Sequence, residues 1–187
     1  RLLGNYNPDF MVGFYNTITY RNFDLGFLFD WRQGGVVKSR TILIGGTSGM
    51  MDFTAESREN GLVGIGVKNI GSDENPEYVT NDVIVSGRDF YWSRYNRGNE
   101  EIGMYDASFV KLREVRLGYR IPNEVFGRVP IRNFQVSVVG RNLALWTENT
   151  HFDPEVISFN GGTVVPGVED MATPTTRSIG FNIGFDF

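Results

Sequence analysis

The chain has 187 residues, a formal net charge of −4 and no cysteine, which excludes a disulfide framework, a thiolate metal centre and a thiol nucleophile. The acidic balance, without any run of Lys or Arg, argues against a nucleic-acid partner. An aromatic content of 14% and 23 glycines favour strands and turns over helices, since aromatics fit pleated surfaces and glycines punctuate them. No apolar run approaches the ~18 residues of a membrane helix, whereas alternating barrel strands score weakly on hydropathy and agree with a mean hydropathy of −0.22.

In chain order, the start has no charged region followed by an apolar core and no methionine, so a signal peptide is not expected and the chain is expected to be a piece of something longer. Residues 10–20 alternate with Phe10, Val12, Phe14, Ile18 and Tyr20 on one face, Asn16 interrupting the row. After Arg21-Asn22, residues 23–31 place Phe23, Leu25, Phe27, Phe29 and Trp31 on one face opposite Asp24, Gly26 and Asp30, with Leu28 the exception. The pair predicts a tight hairpin with an aromatic side.

From Gln33 to about Asp106 the alternation dissolves among glycines. A connection this long is improbable in a compact soluble domain and ordinary on the outer side of a membrane barrel. Short elements are expected inside it, helical near 51–60 and extended near 83–85. Order returns at 108–121, where Val115, Leu117, Tyr119 and Ile121 share a face, and at 131–142, with Phe134, Val136 and Val138 opposite Gln135, Ser137 and Arg141. Residues 143–174 form a second long connection. The last stretch alternates again, Ile179, Phe181, Ile183, Phe185 and Phe187 against Ser178, Gly180, Asn182, Gly184 and Asp186.

The pattern predicts an all-β chain: about five antiparallel transmembrane strands of a barrel near 9–20, 23–32, 108–121, 131–145 and 175–187, with long loops 33–107 and 146–174. Short turns then fall on one side and long loops on the other. Phe14, Phe27, Phe181, Ile183, Phe185 and Phe187 are expected to face lipid. Charges at mid-bilayer would cost about 2–4 kcal/mol each, so Lys111, Arg113, Arg116 and Arg141 should turn inward and pair with carboxylates. Lys111 and Arg113 nevertheless share the alternation of Val115 and Leu117.

Tyr105-Asp-Ala-Ser-Phe-Val-Lys-Leu-Arg-Glu-Val-Arg-Leu-Gly-Tyr-Arg-Ile-Pro122 resembles the block near the C-terminus of SusC/RagA-type TonB-dependent outer-membrane receptors. So do Val139-Gly-Arg-Asn-Leu-Ala-Leu-Trp146, Phe152-Asp-Pro-Glu-Val156, Asp170, Pro174, Arg177 and the aromatic end, and the first hairpin is similar to the one expected just upstream. The resemblance implies the C-terminal portion of a plugged barrel of about 22 strands, the plug domain itself being absent here. It implies an outer-membrane importer of oligosaccharides or peptides in a Gram-negative cell. The implied partners are a SusD-like surface lipoprotein, TonB, the barrel-assembly machinery at the last strand, and outer-membrane lipid. No enzyme activity, cofactor or metal is implied.

Several constellations compete with that reading. His151, Asp153 and Glu155 have metal-ligand chemistry, but Pro154 interrupts them and the family pattern makes them a turn. Asp24 with Asp30, or Glu100 with Glu101, lacks the fixed separation and raised pKa of a glycosidase pair. Gly61-Leu-Val-Gly-Ile-Gly66 lacks the strand, helix and Lys of a phosphate loop. Phe90, Tyr91, Trp92, Arg94 and Tyr95, with Arg97, form an aromatic and polar group suited to sugar or peptide contact; Trp146 is a second candidate, or an interfacial anchor. The alternatives to an importer are a soluble secreted β-sandwich that binds carbohydrate and a porin without energy coupling.

Overall fold

The computed structural model describes residues 2–96, 98–156, 158–160 and 162–187, without the side chains of Phe159 and Asn160. Its strands and helices in chain order are β1 (Phe10–Tyr20), β2 (Phe23–Gln33), β3 (Val36–Ser39), α1 (Arg40–Thr47), α2 (Ser57–Asn60), β4 (Leu62–Val63), β5 (Val67–Asn69), β6 (Tyr78–Thr80), β7 (Ile84–Val85), α3 (Gly87–Arg94), β8 (Met104–Asp106), β9 (Phe109–Arg120), β10 (Arg132–Trp146), β11 (Ser158–Asn160), β12 (Thr163–Val165), β13 (Val168–Glu169) and β14 (Ser178–Asp186). The five long strands make one antiparallel sheet in the order β1-β2-β9-β10-β14. The register puts Tyr20, Phe23 and Tyr119 at one end of this sheet, beside the short connections. Trp31, Val110 and Trp146 lie at the other, where the long connections leave.

One face is apolar across all five strands, with Asn16 on β1 an interruption. Phe14 opposes Phe29, Leu25 opposes Leu117, Val138 opposes both Leu117 and Phe181, and Val136 opposes Ile183. No second sheet covers this face among the described residues: Phe14 is 53% exposed and Phe181 77%. A β-sandwich would bury such a face, so the sandwich expectation is corrected. The other face carries Asp24, Asp30, Lys111, Arg116, Gln135 and Asn182 at the intervening positions.

Three register shifts interrupt the sheet: one between Arg132 and Gln135 opposite β14, with Asn133 at φ 52°, and two that act on the charged residues of β9 and β10. Between Leu28↔Glu114 and Phe29↔Leu112, β9 carries one extra residue, Arg113. Between Arg141↔Glu114 and Ala144↔Leu112, β10 carries another, with Asn142 at φ 51°, a backbone region that Asn tolerates better than most residues. Because strand side chains alternate, one inserted residue switches the parity. Val115, Leu117 and Tyr119 lie on the apolar face below the bulge, and Leu112 and Val110 continue it above. Lys111 is thereby turned to the polar face, opposite Asp30 and Leu145. This corrects the simple alternation that ranked Lys111 and Arg113 with the apolar row.

The buried core sits above the sheet. Val37, Ile42, Ala107 and Phe152 pack together, flanked by Met51, Phe53, Tyr95 and Tyr105. The described residues of 33–107 thus fold together: the helical and extended pieces expected near 51–60 and 83–85 are present as α2 and β7, but the packing that joins the stretch is not visible in the sequence. The second connection joins it: β13 pairs parallel with β3, and β3 antiparallel with β8. Glu169, 1% exposed, accepts hydrogen bonds from the Ser39 and Thr41 hydroxyls, each at 2.6 Å. Its carboxylate lies at the start of α1, where Ser39 Oγ also accepts from Ile42 N at 3.2 Å, so it faces the positive end of the helix dipole.

Candidate functional site

The polar face of the sheet and the connections above it hold the charged and aromatic side chains that sequence reasoning singled out. Low on that face, Asp24 lies over Gly118, where a Cβ would meet its carboxylate at 2.4 Å. It accepts from Gln135 Nε2 at 2.8 Å and stands 3.8 Å from Arg116 Nη2. Arg141 donates to Glu114 at 2.9 Å. Asp24 with Arg116 and Arg141 with Glu114 pair neighbouring strands, while Gln135 reaches Asp24 from β10 across β9, over Gly118; each contact satisfies a charge that would be costly alone.

Higher up, the bulge gathers a denser group. Lys111 is 2% exposed, and its Nζ donates to Asp153 Oδ2 at 3.0 Å, Glu155 Oε2 at 2.7 Å and Thr175 Oγ1 at 3.0 Å, which uses all three of its hydrogens. Arg113 donates through Nε to Asp30 at 2.6 Å and grips both oxygens of Glu155. Thr175 in turn donates to Asp153 Oδ2 at 2.6 Å. Burial pushes the Asp153 carboxyl up, but the Thr175 hydroxyl, the Glu155 backbone N–H and Lys111 together hold it below the usual carboxylate range. Glu155 is likewise lowered, burial being outweighed by Arg113 and Lys111.

This arrangement disperses the candidate metal trio. Asp153 and Glu155 serve the two cations, while His151 lies 3.8 Å from Asp52 and edge-on to Phe53. No group of three potential ligands is gathered for a metal among the described residues. Asp24 and Asp30 answer different cations, and Glu100 pairs with Lys38. Gly61 follows α2 with φ 67° and leads into β4, which is not a phosphate loop.

The aromatic candidates divide. Tyr95 stacks on Phe53 (5.3 Å, 24°) and lies against Gly46, where a Cβ would meet its ring at 2.8 Å. This close approach brings α1 and α3 together. Burial raises the Tyr95 phenol, and Tyr91 donates its hydroxyl to Phe53 O at 2.7 Å. Phe90 packs edge-on against Tyr91, with Arg94 over its ring at 5.9 Å. Trp92 is 61% exposed and lines, with Arg40, Ile44 and Tyr95, a cavity of about 700 Å³. Several polar groups there are already engaged: Lys38 with Glu100, Arg40 with Asp170 at 2.5 Å, and Thr47 with Tyr95 O at 2.5 Å. Trp146 is not part of this group. It stands on the apolar face, opposite Val110 and 6.4 Å from Phe29. Arg97 lies outside the described residues.

Sequence reasoning passed over Thr175 as a partner of the cluster and Glu169 as an anchor. The one available signal was the presence of Lys111 and Arg113 in an apolar row, which required a parity change between them and Val115.

An open antiparallel sheet with one apolar and one polar face, turned tightly at one end and carrying folded connections at the other, has the form of a section of barrel wall. No family model matches the chain. It is 31% identical to TonB-dependent receptor P26 of Formosa agariphila, over 98% of this chain and 18% of that protein, and 28% identical to TonB-dependent receptor P3 of the same organism, over 83% and 14%. Among solved structures, the RagAB peptide importer in its open-open state superposes with a TM-score of 0.57 at 17% identity, covering 97% of this chain and 17% of that one. In its closed-closed state the TM-score is 0.54, covering 96% and 17%. The chain is related in sequence to TonB-dependent receptors and in fold to the RagAB importer. It spans less than a fifth of the curated relatives it matches (18% and 14% of their lengths).

Proposed function

We propose that the chain forms part of the wall of a TonB-dependent importer in the outer membrane of a Gram-negative cell, near the C-terminal end of the barrel. The apolar face meets lipid and the polar face lines the passage. The folded connections stand on the extracellular side, where Trp92 and the cavity beside it meet an incoming oligosaccharide or peptide. A SusD-like lipoprotein and TonB act through parts of the receptor beyond this chain.

The observation that carries this reading is the two-ended aromatic border of a continuous apolar face. Phe10, Trp31 and Trp146 stand at the end with the long connections, and Tyr20, Phe23 and Tyr119 at the turn end. Trp31 and Phe23 on β2 are separated by roughly 27 Å along the strand at ~3.4 Å per residue, comparable to the apolar band of ~25 Å between the aromatic girdles of membrane barrels. Trp146 is an anchor in this border rather than a substrate contact.

Single cysteines at Phe14, Phe27, Phe181 and Phe185 in the full-length receptor test the orientation. Attached fluorophores are expected to be quenched by lipid-borne nitroxides and not by aqueous ones. Shielding from both, through burial against other protein, overturns the proposed orientation.

A further inference from the structure

In an open sheet the polar face should be the wet one, yet its upper end is not. Phe109 and Lys111 are 4% and 2% exposed. Over Lys111 lies the stretch 147–156, with Thr175 beside it; the stretch runs back over the wall instead of away from it. Thr147 Oγ1 donates to Ser108 O at 3.0 Å and Asn149 Nδ2 to Asp106 O at 2.6 Å. Phe152 enters the core with Val37 and Ile42, and Asp153 and Glu155 end on Lys111 and Arg113. Beneath this stretch lies a cavity of about 570 Å³ bounded by Leu145, Asn142, Thr175 and Arg177.

We propose that Lys111 is a positioning residue that holds 147–156 as a fixed strap across the inner wall, narrowing the passage at its outer end. The inference rests on the reading of the polar face as the lining of a barrel. Three features carry it. The bulge at Arg113 switches the parity of β9 and so turns Lys111 inward. The two cations face three carboxylates, Asp30 from the neighbouring strand and Asp153 and Glu155 from the strap, so the strap supplies most of the countercharge. Thr175, just before β14, closes the group from the far side through Lys111 and Asp153. Lifting the strap would take from a buried ammonium two of its three acceptors, a costly change that holds the strap down.

The test uses the full-length receptor, and the absence of cysteine from this chain leaves the probe position unambiguous within it. Phe109, 4% exposed and with its ring centre 6.0 Å from Lys111 Nζ, is replaced by cysteine. Its reaction with a bulky polymer-linked maleimide added from outside is followed beside hydrogen exchange at Glu155 and Thr175, whose amides both donate to Asp153. Lys111→Met is expected to speed both by at least about tenfold, and Lys111→Arg, which keeps the charge, to restore most of the protection. If Lys111→Met does not assemble, Glu155→Gln, which loosens both cations from the half-exposed side, provides the same comparison. Unchanged exchange at the two amides overturns the holding role. Faster exchange with unchanged labelling overturns the covering role. Lipid-phase quenching at Phe181 is measured on the same samples, so that a wrong wall orientation is recognised separately from a wrong strap.

Discussion

Lys111 Nζ and Asp153 Oδ2 lie 3.0 Å apart with 2% and 4% of their side chains exposed, on a strand and a connection separated by 42 residues of sequence. Breaking a buried pair from one side leaves an uncompensated charge, a loss of about 3–5 kcal/mol, whereas replacing both partners by apolar side chains is often neutral. Asp153→Ala should therefore destabilise the receptor by about that amount in denaturant titrations, and Lys111→Met with Asp153→Leu by clearly less than the sum of the single changes. Additive losses would mean that the two residues act independently.

The same cluster sets a pH dependence with a definite sign. Asp153 and Glu155 have folded-state pKa values below their ordinary ones, so their contribution is fully present above the unfolded carboxylate range and is lost as pH falls through the lowered values. Exchange protection at Thr175 N should stay flat from neutral pH through the mildly acidic range and fall only below the ordinary carboxylate range. A decline centred nearer neutrality would implicate a group other than these two carboxylates.

The tryptophans should report different media. In single-tryptophan receptors, Trp31 and Trp146 are expected to be quenched by brominated lipid and Trp92 by aqueous acrylamide, because the first two border the apolar face and the third stands in the folded connection. Lipid quenching of Trp92 would remove it from the passage.

Gly46→Val tests how the first connection is built. The added side chain would meet the Tyr95 ring, which is itself stacked on Phe53, and should separate α1 from α3 at a cost of about 1–3 kcal/mol. Limited proteolysis within 40–96 should accelerate while the strands stay resistant. Unchanged proteolysis would show that Tyr95 yields without loss of packing.

Glu169→Ala removes the acceptor shared by the Ser39 and Thr41 hydroxyls. The orphaned groups and the lost interaction with α1 should destabilise the β13–β3 pairing by about 1–3 kcal/mol, seen as faster exchange in β3 with β9 and β10 unaffected.

The long strands were legible because their signal is local. Alternation at a period of two survives wherever one face is apolar, and it marks the five strands β1, β2, β9, β10 and β14 that form the long sheet. The bulges were less visible, since Arg113 and Asn142 carry no composition that marks an extra residue, and their effect appears only when the partner strand fixes the register. The fold of 33–107 was illegible for a different reason. Its core pairs Val37 and Ile42 with Phe152, contacts far apart in sequence and made by elements too short to show a period. The aromatic cluster around Phe90 was found because its members are neighbours in sequence. Its division into Tyr95 as packing and Trp92 as an exposed face depends on Gly46, which sequence alone does not connect to it.

The parallel pairing of β13 with β3, sealed by Glu169, has a consequence for how such receptors can be altered. The two connections do not diversify as separate loops. A second connection grafted alone from a relative would arrive without the hydroxyls that receive its carboxylate or the pocket that takes Phe152, and would leave Lys111 unanswered. The transferable unit comprises both connections with the upper halves of β9 and β10, and recombination between relatives should succeed when it exchanges that unit whole and fail when it divides it.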